Sequence, residues 1–251
     1  MKRRVSALLT CLALLLCVPA PATTLVGEIE HSETLKPVES VLTPGQTFDQ
    51  RNLPASQPQP DNCWYRIPTW LAGTWHKDEQ VNYFRYWYRT KQEDISTHAV
   101  VAKSDGTWGI QRDDGGNYWQ FEPTPFTTIV DGGNEFVVQL VRKTEPLECS
   151  ERRFVRRSVD TQIHVDKLSN VIKGVESGEQ ISIYTPEMGN LIRRSTSAKV
   201  FDVQGQPVLL GKSYSYERKI AEFVPQDVYL GKNTKTLFQQ FLTSQANQPA
   251  E

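Results

Sequence analysis

Histidine is the side chain best suited to proton transfer or metal binding near neutral pH, and this chain has four. His31, His76, His98 and His164 lie far apart in the sequence. His164 and Asp166 are two residues apart, so a strand would project both from one face, where a carboxylate can orient an imidazole. An ordinary hydrogen-bonded histidine fits the same pattern. Because no ligand spacing typical of a metal or haem site accompanies these residues, we predict no metal site and no cofactor.

Other familiar catalytic patterns are also missing from the sequence. Gly-x-Ser-x-Gly does not occur, and Ser-x-x-Lys yields no convincing nucleophile. The 29 acidic residues include no recognisable pair of carboxylates with a substrate framework. We therefore expect a protein without catalytic activity. An enzyme with an unrecognised site, such as a hydrolase or an isomerase, is the alternative.

Aromatic side chains crowd three successive predicted strands and are the most unusual feature of the sequence. All six tryptophans lie between Trp64 and Trp119. If these strands curl into a barrel, alternate residues point inward, and an aromatic lining with a few hydroxyls suits a flat or apolar small ligand. A filled aromatic core is the alternative. The predicted ligand-binding residues are Phe84, Tyr86, Tyr88, Trp108, Trp119 and Phe121.

Arginines recur in adjacent pairs in the second half of the chain. Arg152-Arg153 and Arg156-Arg157 flank Phe154-Val155, and Arg193-Arg194 follows later. One interpretation is an anion-binding stripe along the strands. We favour the other, a charged solvent face that keeps strand edges from associating.

The elements that must position these residues are mostly β-strands. Asn82 to Arg89 is rich in aromatics that favour strands, and Glu135 to Val141 alternates apolar and polar residues. Tight turns are predicted at 104–106, 113–116 and 131–134. Frequent turns with short strands between them predict an antiparallel sandwich or barrel. From 234 to 245 apolar residues recur at helical spacing, which predicts a short C-terminal helix packed on the sheet.

Gly73-Thr74-Trp75 opens the predicted folded domain, at the start of its first strand. A Gly-x-Trp at this place resembles the opening of lipocalins and related calycin barrels. The resemblance implies an antiparallel, calycin-like β-barrel in which Trp75 closes one end and an arginine from a late strand packs over its ring. Arg218 is the arginine implied here, and a guanidinium stacked on an indole contributes roughly 0.5–2 kcal/mol. A different β-sandwich or an open barrel is the alternative.

The N-terminus predicts export. A basic start at positions 2–4 precedes an apolar run from Ala7 to Val18 and a small-residue site at 20–22, which is typical of a cleaved signal peptide over 1–22. The run is too short to span a bilayer and no longer one follows, so we predict a periplasmic or secreted protein with no transmembrane segment after cleavage. Removal of residues 1–22 leaves 25 of the 28 basic residues against 29 acidic ones, a net charge of −4, which argues against a nucleic-acid partner.

Three further regions follow the predicted signal peptide. Residues 23–62 are rich in proline and glutamine and poor in apolar residues, so they are predicted to form a disordered leader. Residues 63–232 form the predicted β-barrel domain, and residues 233–251 form the C-terminal helix and tail. Cys63 and Cys149, the two cysteines left after cleavage, are predicted to pair in an oxidising compartment. Two buried thiols are the alternative.

Together these patterns predict an exported β-barrel binding protein for a small apolar or aromatic ligand. The alternative is a non-catalytic structural or interaction protein of the envelope with a filled barrel. The sequence does not identify a protein partner.

Overall fold

The computed structural model of the chain describes residues 29–38, 43–53 and 63–246. The chain divides into two compact units, Met1–Glu30 and His31–Glu251. Only positions 29 and 30 of the first unit are described, so the predicted signal peptide lies outside the described residues. Every element named below belongs to the second unit.

Fourteen strands, two 3-10 turns and one α-helix make up the described part of the chain. The strands are β1 (Trp64–Ile67), β2 (Gly73–Trp87), β3 (Gln92–Asp94), β4 (His98–Trp108), β5 (Gln111–Arg112), β6 (Tyr118–Phe121), β7 (Phe126–Asp131), β8 (Glu135–Cys149), β9 (Phe154–Asp166), β10 (Ile172–Glu187), β11 (Leu191–Phe201), β12 (Pro207–Ala221), β13 (Val228–Tyr229) and β14 (Lys232–Asn233). The 3-10 turns are Gln50–Asn52 and Thr69–Leu71, and the helix α1 is Thr234–Ala246.

Most strands belong to one antiparallel sheet, the main sheet, with the order β7-β8-β9-β10-β11-β12-β2. β3 and β4 both pair with β2, β3 with Arg85–Trp87 and β4 with Gly73–Asn82. A second sheet has the order β1-β6-β5, and β13 pairs with β14. The prediction of an all-β, antiparallel protein with one short C-terminal helix is confirmed.

Two of the three predicted tight turns join strands as expected. The residues around Gly115 connect β5 to β6, and those around Gly133 connect β7 to β8. The third prediction is wrong, because Ser104–Gly106 lie inside β4 and pair with Trp75–Lys77 of β2. Pairing with a neighbouring strand holds this Ser-Asp-Gly sequence extended, and turn propensity alone does not reveal that neighbour.

The main sheet is strongly rolled. β4 and β9 stand five positions apart in the strand order, a separation of about 24 Å on a flat sheet. The rings of Trp108 on β4 and Phe154 on β9 nevertheless lie 5.6 Å apart between their centroids. We call the face that carries these two rings the inner face and the opposite face the outer face.

The roll does not close into a ring of strands. Among the described residues β4 pairs with β2 and β7 pairs with β8, and no ladder joins β4 to β7. The closed barrel expected from the sequence is therefore not formed by the described strands. The two open edges expose apolar side chains, among them Val101 on β4 and Ile129 on β7.

A core cluster, the aromatic floor, closes one end of the inner face. It contains Trp75, Trp108, Phe154 and Tyr184, all of them buried, and β1 and the second 3-10 turn pack against them. Full burial of a large apolar side chain contributes roughly 1.5–3 kcal/mol. The floor thus fixes the roll, because its rings come from strands at both ends of the bend.

Helix α1 covers the second sheet and not the main sheet. Its apolar side chains Phe238 and Phe241 lie 4.8 Å and 6.2 Å from the Trp64 ring, between centroids. Trp64 in turn packs on Phe121 of β6, at 4.7 Å. The predicted helix is present, and it completes a second core of its own.

Two segments of the leader lie on the outer face. In residues 31–38, which we call the strap, the amide of Leu35 donates to the carbonyl oxygen of Gly205. In residues 43–53, Phe48 packs edge-on against Phe136 of β8, at 5.8 Å between centroids. These two segments contact the main sheet, and disorder elsewhere in the leader stays a prediction.

Candidate functional site

The six predicted ligand-binding aromatics lie at three separate places. Trp108 belongs to the aromatic floor of the inner face. Trp119 and Phe121 pack in the second core, under α1. The other three, from Phe84 to Tyr88, lie on the outer face. The structure therefore does not bring the six rings together into one lining.

Lysines pair with the outer-face aromatics. The Lys212 ammonium lies 5.1 Å from the Phe84 ring centroid, and that of Lys199 lies 5.2 Å from the Tyr88 ring centroid. Lys212 faces Ser197 across the β11–β12 ladder, and the hydroxyl of Ser197 contacts the strap, which identifies this side as the outer face. Sequence alternation groups these rings correctly, but they occupy the face that does not roll inward.

Trp75 has the buried position that the Gly-x-Trp resemblance implies, but the cation over its ring is Lys219 and not Arg218. The Lys219 ammonium lies 5.2 Å from the Trp75 ring, whose N–H donates to the Leu71 carbonyl at 2.8 Å. Arg218 is exposed and faces His76 across the ladder. Bulges interrupt the β2–β12 pairing on both sides of this point, and a shift of one residue moves a side chain to the opposite face.

The backbone conformation and close packing at Gly73 of the Gly-x-Trp motif require glycine at this position. Its φ is +133°, and a Cβ at this position would lie 2.6 Å from the carbonyl oxygen of Ala221. Only glycine allows the backbones of β2 and the end of β12 to approach this closely. This close approach places the Lys219 side chain over the Trp75 ring.

Beside the aromatic floor, the inner face carries a set of charged residues that we call the charged layer. It consists of Lys77, Arg156, Arg194 and Glu217. The Arg156 guanidinium lies 5.4 Å from the Trp108 ring, and the Arg194 guanidinium lies 5.5 Å from the Tyr184 ring. The two arginine side chains are partly exposed, at 18% and 26%.

An acidic partner neutralises Arg156. Its guanidinium forms an ion pair with Glu122, and this pair raises the pKa of Arg156 although burial alone would lower it. Burial and the Glu122 charge together raise the pKa of the neighbouring Tyr65 well above its ordinary value. The Tyr65 hydroxyl and Glu122 Oε2 are buried atoms without a hydrogen-bond partner among the described residues.

On the other side of the charged layer two cations share one carboxylate. Glu217 is buried, faces Lys77 across the β2–β12 ladder, and places Oε1 3.9 Å from Arg194 Nη1. Burial and the Arg194 charge lower the pKa of Lys77, against the opposite effect of Glu217. Arg194 Nη2 lies 3.5 Å from Ser182 Oγ, and its buried Nε has no hydrogen-bond partner among the described residues.

His164 is the histidine for which the sequence suggests an orienting carboxylate two residues away, Asp166. His164 lies between Glu135 and Glu176, at 3.1 Å and 3.3 Å, and these contacts raise its pKa although burial alone would lower it. Asp166 instead accepts hydrogen bonds from Ser169 in the following turn. The ordinary hydrogen-bonded histidine is therefore the interpretation that fits. Within the described ranges no three His, Cys, Asp or Glu side chains group as a metal site.

A buried carboxylate, which sequence analysis missed, holds the strap on the outer face. Glu179 is 1% exposed and accepts hydrogen bonds from the amide and hydroxyl of Ser32, each at 2.8 Å, and contacts His31 Nδ1 at 2.9 Å. Lys199 donates to the Ser32 carbonyl at 2.7 Å. Burial would raise the pKa of Glu179, but these hydrogen bonds bring it below the ordinary 4.5. The partners are 147 and 148 residues apart, so no local pattern links them.

Cys63 and Cys149 are not joined in the structure. Cys63 is buried in the second core, which raises its pKa to about 11, whereas Cys149 is exposed and lines a cleft of about 190 Å³ that includes Arg66. The bridge stays a prediction.

Comparison with known proteins identifies no relative of this chain. It matches no family model, and neither a curated protein nor a solved structure matches it. Across the part of the chain that the structure describes, none of the helical segments is long and apolar enough to span a membrane. The function is therefore argued from the residues of the site themselves.

Proposed function

We propose that this chain is an exported binding protein that holds a small ligand, with an apolar or aromatic part, on the inner face of its rolled sheet. The observation that carries the proposal is the approach of Trp108 to Phe154, since it bends the strands between them around a shared space. The aromatic floor offers rings at one end of this space, and Arg156 and Arg194 offer polar groups beside it. An apolar end with a few convergent polar groups is typical of small-molecule sites.

The strand order supports a calycin-like barrel as the form of the site. β2, β4 and β7 to β12 follow one another as the eight strands of an up-and-down barrel do. Such a barrel needs eight ladders. Seven are formed by the described residues, and the eighth would join β4 to β7. We infer that a ligand enters between these two strands.

A filled envelope protein without a ligand is the second candidate. Its support is the complete burial of the aromatic side chains that would otherwise line a cavity, such as Trp108 and Phe121. A filled interior predicts that no small molecule binds saturably. The two candidates therefore differ in a quantity that can be measured directly.

Fluorescence titration with N-phenylnaphthylamine, a neutral aromatic probe, tests the proposal. Thr196 lies two residues from Arg194 on β11 and so shares the inner face, while its half-buried neighbour Ser195 faces outward. We expect saturable binding by the wild type, loss of binding in Thr196→Trp, and unchanged binding in the matched control Ser195→Trp.

Two results would count against this function. One is a folded wild-type protein, judged by circular dichroism, that takes up neither this probe nor any member of a lipid and aromatic panel. The other is equal loss of binding in the Thr196 and Ser195 variants, because the inner face would then not be the site. Export is tested separately, by the mass of the mature chain, which should begin near residue 23.

A further inference from the structure

We infer that the inner face contains an anion subsite between Lys77 and Arg194, which takes a singly charged oxyanion, a carboxylate or sulfonate group, of the bound ligand. The inference rests on the proposed function. It changes the expected ligand from a wholly apolar molecule to one that combines an aromatic or apolar body with a single acidic group.

The local charge balance at the corner of the inner face between Lys77 and Arg194 is the first argument. Lys77 on β2 and Arg194 on β11 carry two positive charges, and Glu217 on β12 between them carries one negative charge. Glu122 does not contribute, because it is paired with Arg156. A partly buried cation without a neutralising partner is costly, so one further negative charge at this corner is stabilised.

The guanidinium geometry of Arg194 is the second argument. Its central carbon lies 5.5 Å from the Tyr184 ring centroid, a cation–π contact that keeps the group beside this ring. Nε is buried without a hydrogen-bond partner among the described residues, and Nη2 reaches only to 3.5 Å from Ser182 Oγ. Nε together with an Nη nitrogen is the pair of donors with which arginine binds a carboxylate in a bidentate manner.

Ser182 adds a neutral donor at the same place. Its hydroxyl oxygen accepts a hydrogen bond from Gln180 Nε2 at 3.0 Å and lies beside the Arg194 guanidinium. A serine hydroxyl has one hydrogen and two lone pairs, so a group that accepts in this way can still donate its own hydrogen to an anion. The side chain is 1% exposed, and its position is therefore fixed by packing.

The excess of one positive charge at the subsite indicates which class of anion it binds. One excess positive charge is balanced by a carboxylate or a sulfonate, which each carry one negative charge. A phosphate monoester carries nearly two at neutral pH and would leave an excess negative charge beside the buried Glu217. The subsite therefore favours the singly charged group.

Arg193, the next residue on β11, supplies a matched control. It carries the same charge on the same strand, but it is exposed and stacks on Tyr214 at 5.2 Å. Successive side chains of a strand point to opposite faces, so Arg193 lies on the outer face and Arg194 on the inner face. Replacing either arginine changes the net charge of the protein by the same amount.

The test compares two fluorescent probes that share one aromatic body. Anilinonaphthalene sulfonate carries a single acidic group, and N-phenylnaphthylamine lacks it. We expect the full chain to bind the anionic probe at least about tenfold more tightly, with a preference that falls as salt is added. Arg194→Gln and Lys77→Met should each weaken the anionic probe by roughly tenfold or more and weaken the neutral probe by a much smaller factor, while Arg193→Gln should change neither. Thermal melting of each variant establishes that it is folded.

Failure of this inference is distinguishable from failure of the proposed function. Saturable binding of both probes with equal affinity, or an equal effect of Arg193→Gln and Arg194→Gln, would overturn the subsite and leave the binding function standing. If the folded protein binds neither probe, the subsite is overturned, and if it also binds no member of the lipid and aromatic panel, the binding function is overturned with it. Displacement of the anionic probe by naphthoate at a lower concentration than by naphthyl phosphate is expected, and the reverse order would overturn the assignment to a singly charged group.

Discussion

The buried carboxylate of Glu179 predicts that the strap is fastened to the outer face by charge. Glu179→Gln keeps the size of the side chain but removes its charge and replaces one acceptor oxygen by an NH2 donor. In the wild type the two oxygens receive hydrogen bonds from the Ser32 amide at 2.8 Å and the Ser32 hydroxyl at 2.8 Å, and one oxygen contacts His31 at 2.9 Å. An amide in the same place can keep the Ser32 amide and His31 on its oxygen, but the Ser32 hydroxyl must then accept from the NH2 group, and none of the three contacts is made to a charged group.

The expected loss is set by these contacts. A hydrogen bond to a charged group contributes about 1.5–3 kcal/mol, and a neutral one about 0.5–1.5 kcal/mol. Because the bonds share a single carboxylate they do not add, and we expect the strap to lose about 3 kcal/mol in all. A tenfold change corresponds to about 1.4 kcal/mol, so the detached fraction should rise more than a hundredfold.

Hydrogen exchange read by mass spectrometry measures this fraction. The amides of Leu35 and Val38 donate to Gly205 and Val203, so their protection reports whether the strap is seated. We expect much faster exchange of residues 31–38 in Glu179→Gln. Glu176→Gln, three residues away on the same strand and in contact with His164, is the control and should leave the strap protected.

The same carboxylate sets the acid dependence of the strap. The pKa of Glu179 is lower in the folded protein than its ordinary 4.5, so its stabilising effect is complete above 4.5 and is lost as the pH falls through the lowered value. Wild-type protein should therefore release the strap in acid, and Glu179→Gln should show no such transition. Equal protection of the strap in both proteins at neutral pH would refute the reasoning.

Two further predictions concern the Gly-x-Trp motif and the cysteines. Lys219→Ala removes the cation 5.2 Å from the Trp75 ring and should lower the free energy of unfolding, measured in urea, by about 0.5–2 kcal/mol. Arg218→Ala at an exposed site is the control and should change that free energy little, so equal effects of the two substitutions would contradict the assignment of Lys219. Without reductant, iodoacetamide should alkylate the exposed Cys149 before Cys63, whose burial raises its pKa to about 11, and resistance of both thiols to alkylation would instead support the disulfide.

Sequence reasoning succeeded where the signal was local. Alternation from Glu135 to Val141 located the first half of β8, and the Gly-rich turn around Gly133 located the turn before it, because such signals act within a few residues. The helical spacing that includes Phe238 and Phe241 located α1 for the same reason. The class of the fold follows from these patterns without knowledge of any long-range contact.

Features that depend on strand register could not be predicted from the sequence. The residue over Trp75 was predicted as Arg218, and the bulges in the β2–β12 ladder put Lys219 there instead. Alternation also placed Phe84 and Tyr88 on one face without saying which face rolls inward. A one-residue change in pairing exchanges the two faces, and nothing near these residues in the chain encodes that choice.

The candidate site was hidden for a related reason. Lys77, Arg194 and Glu217 come together only because β2, β12 and β11 are neighbours in the sheet. The arginine pair at 193–194 did suggest either an anion site or a charged surface. The structure divides the pair between the two faces, which neither interpretation anticipated.

The strap also decides where a laboratory fragment of this protein should start. Composition suggests Cys63, where the proline-rich stretch ends and the tryptophans begin. A fragment cut there would lack Phe48 and the Ser32 and His31 contacts of Glu179, and so would expose apolar side chains and an acid that keeps Arg157 as its ion-pair partner. Because His31–Glu251 is the compact unit, recombinant versions should begin ahead of His31.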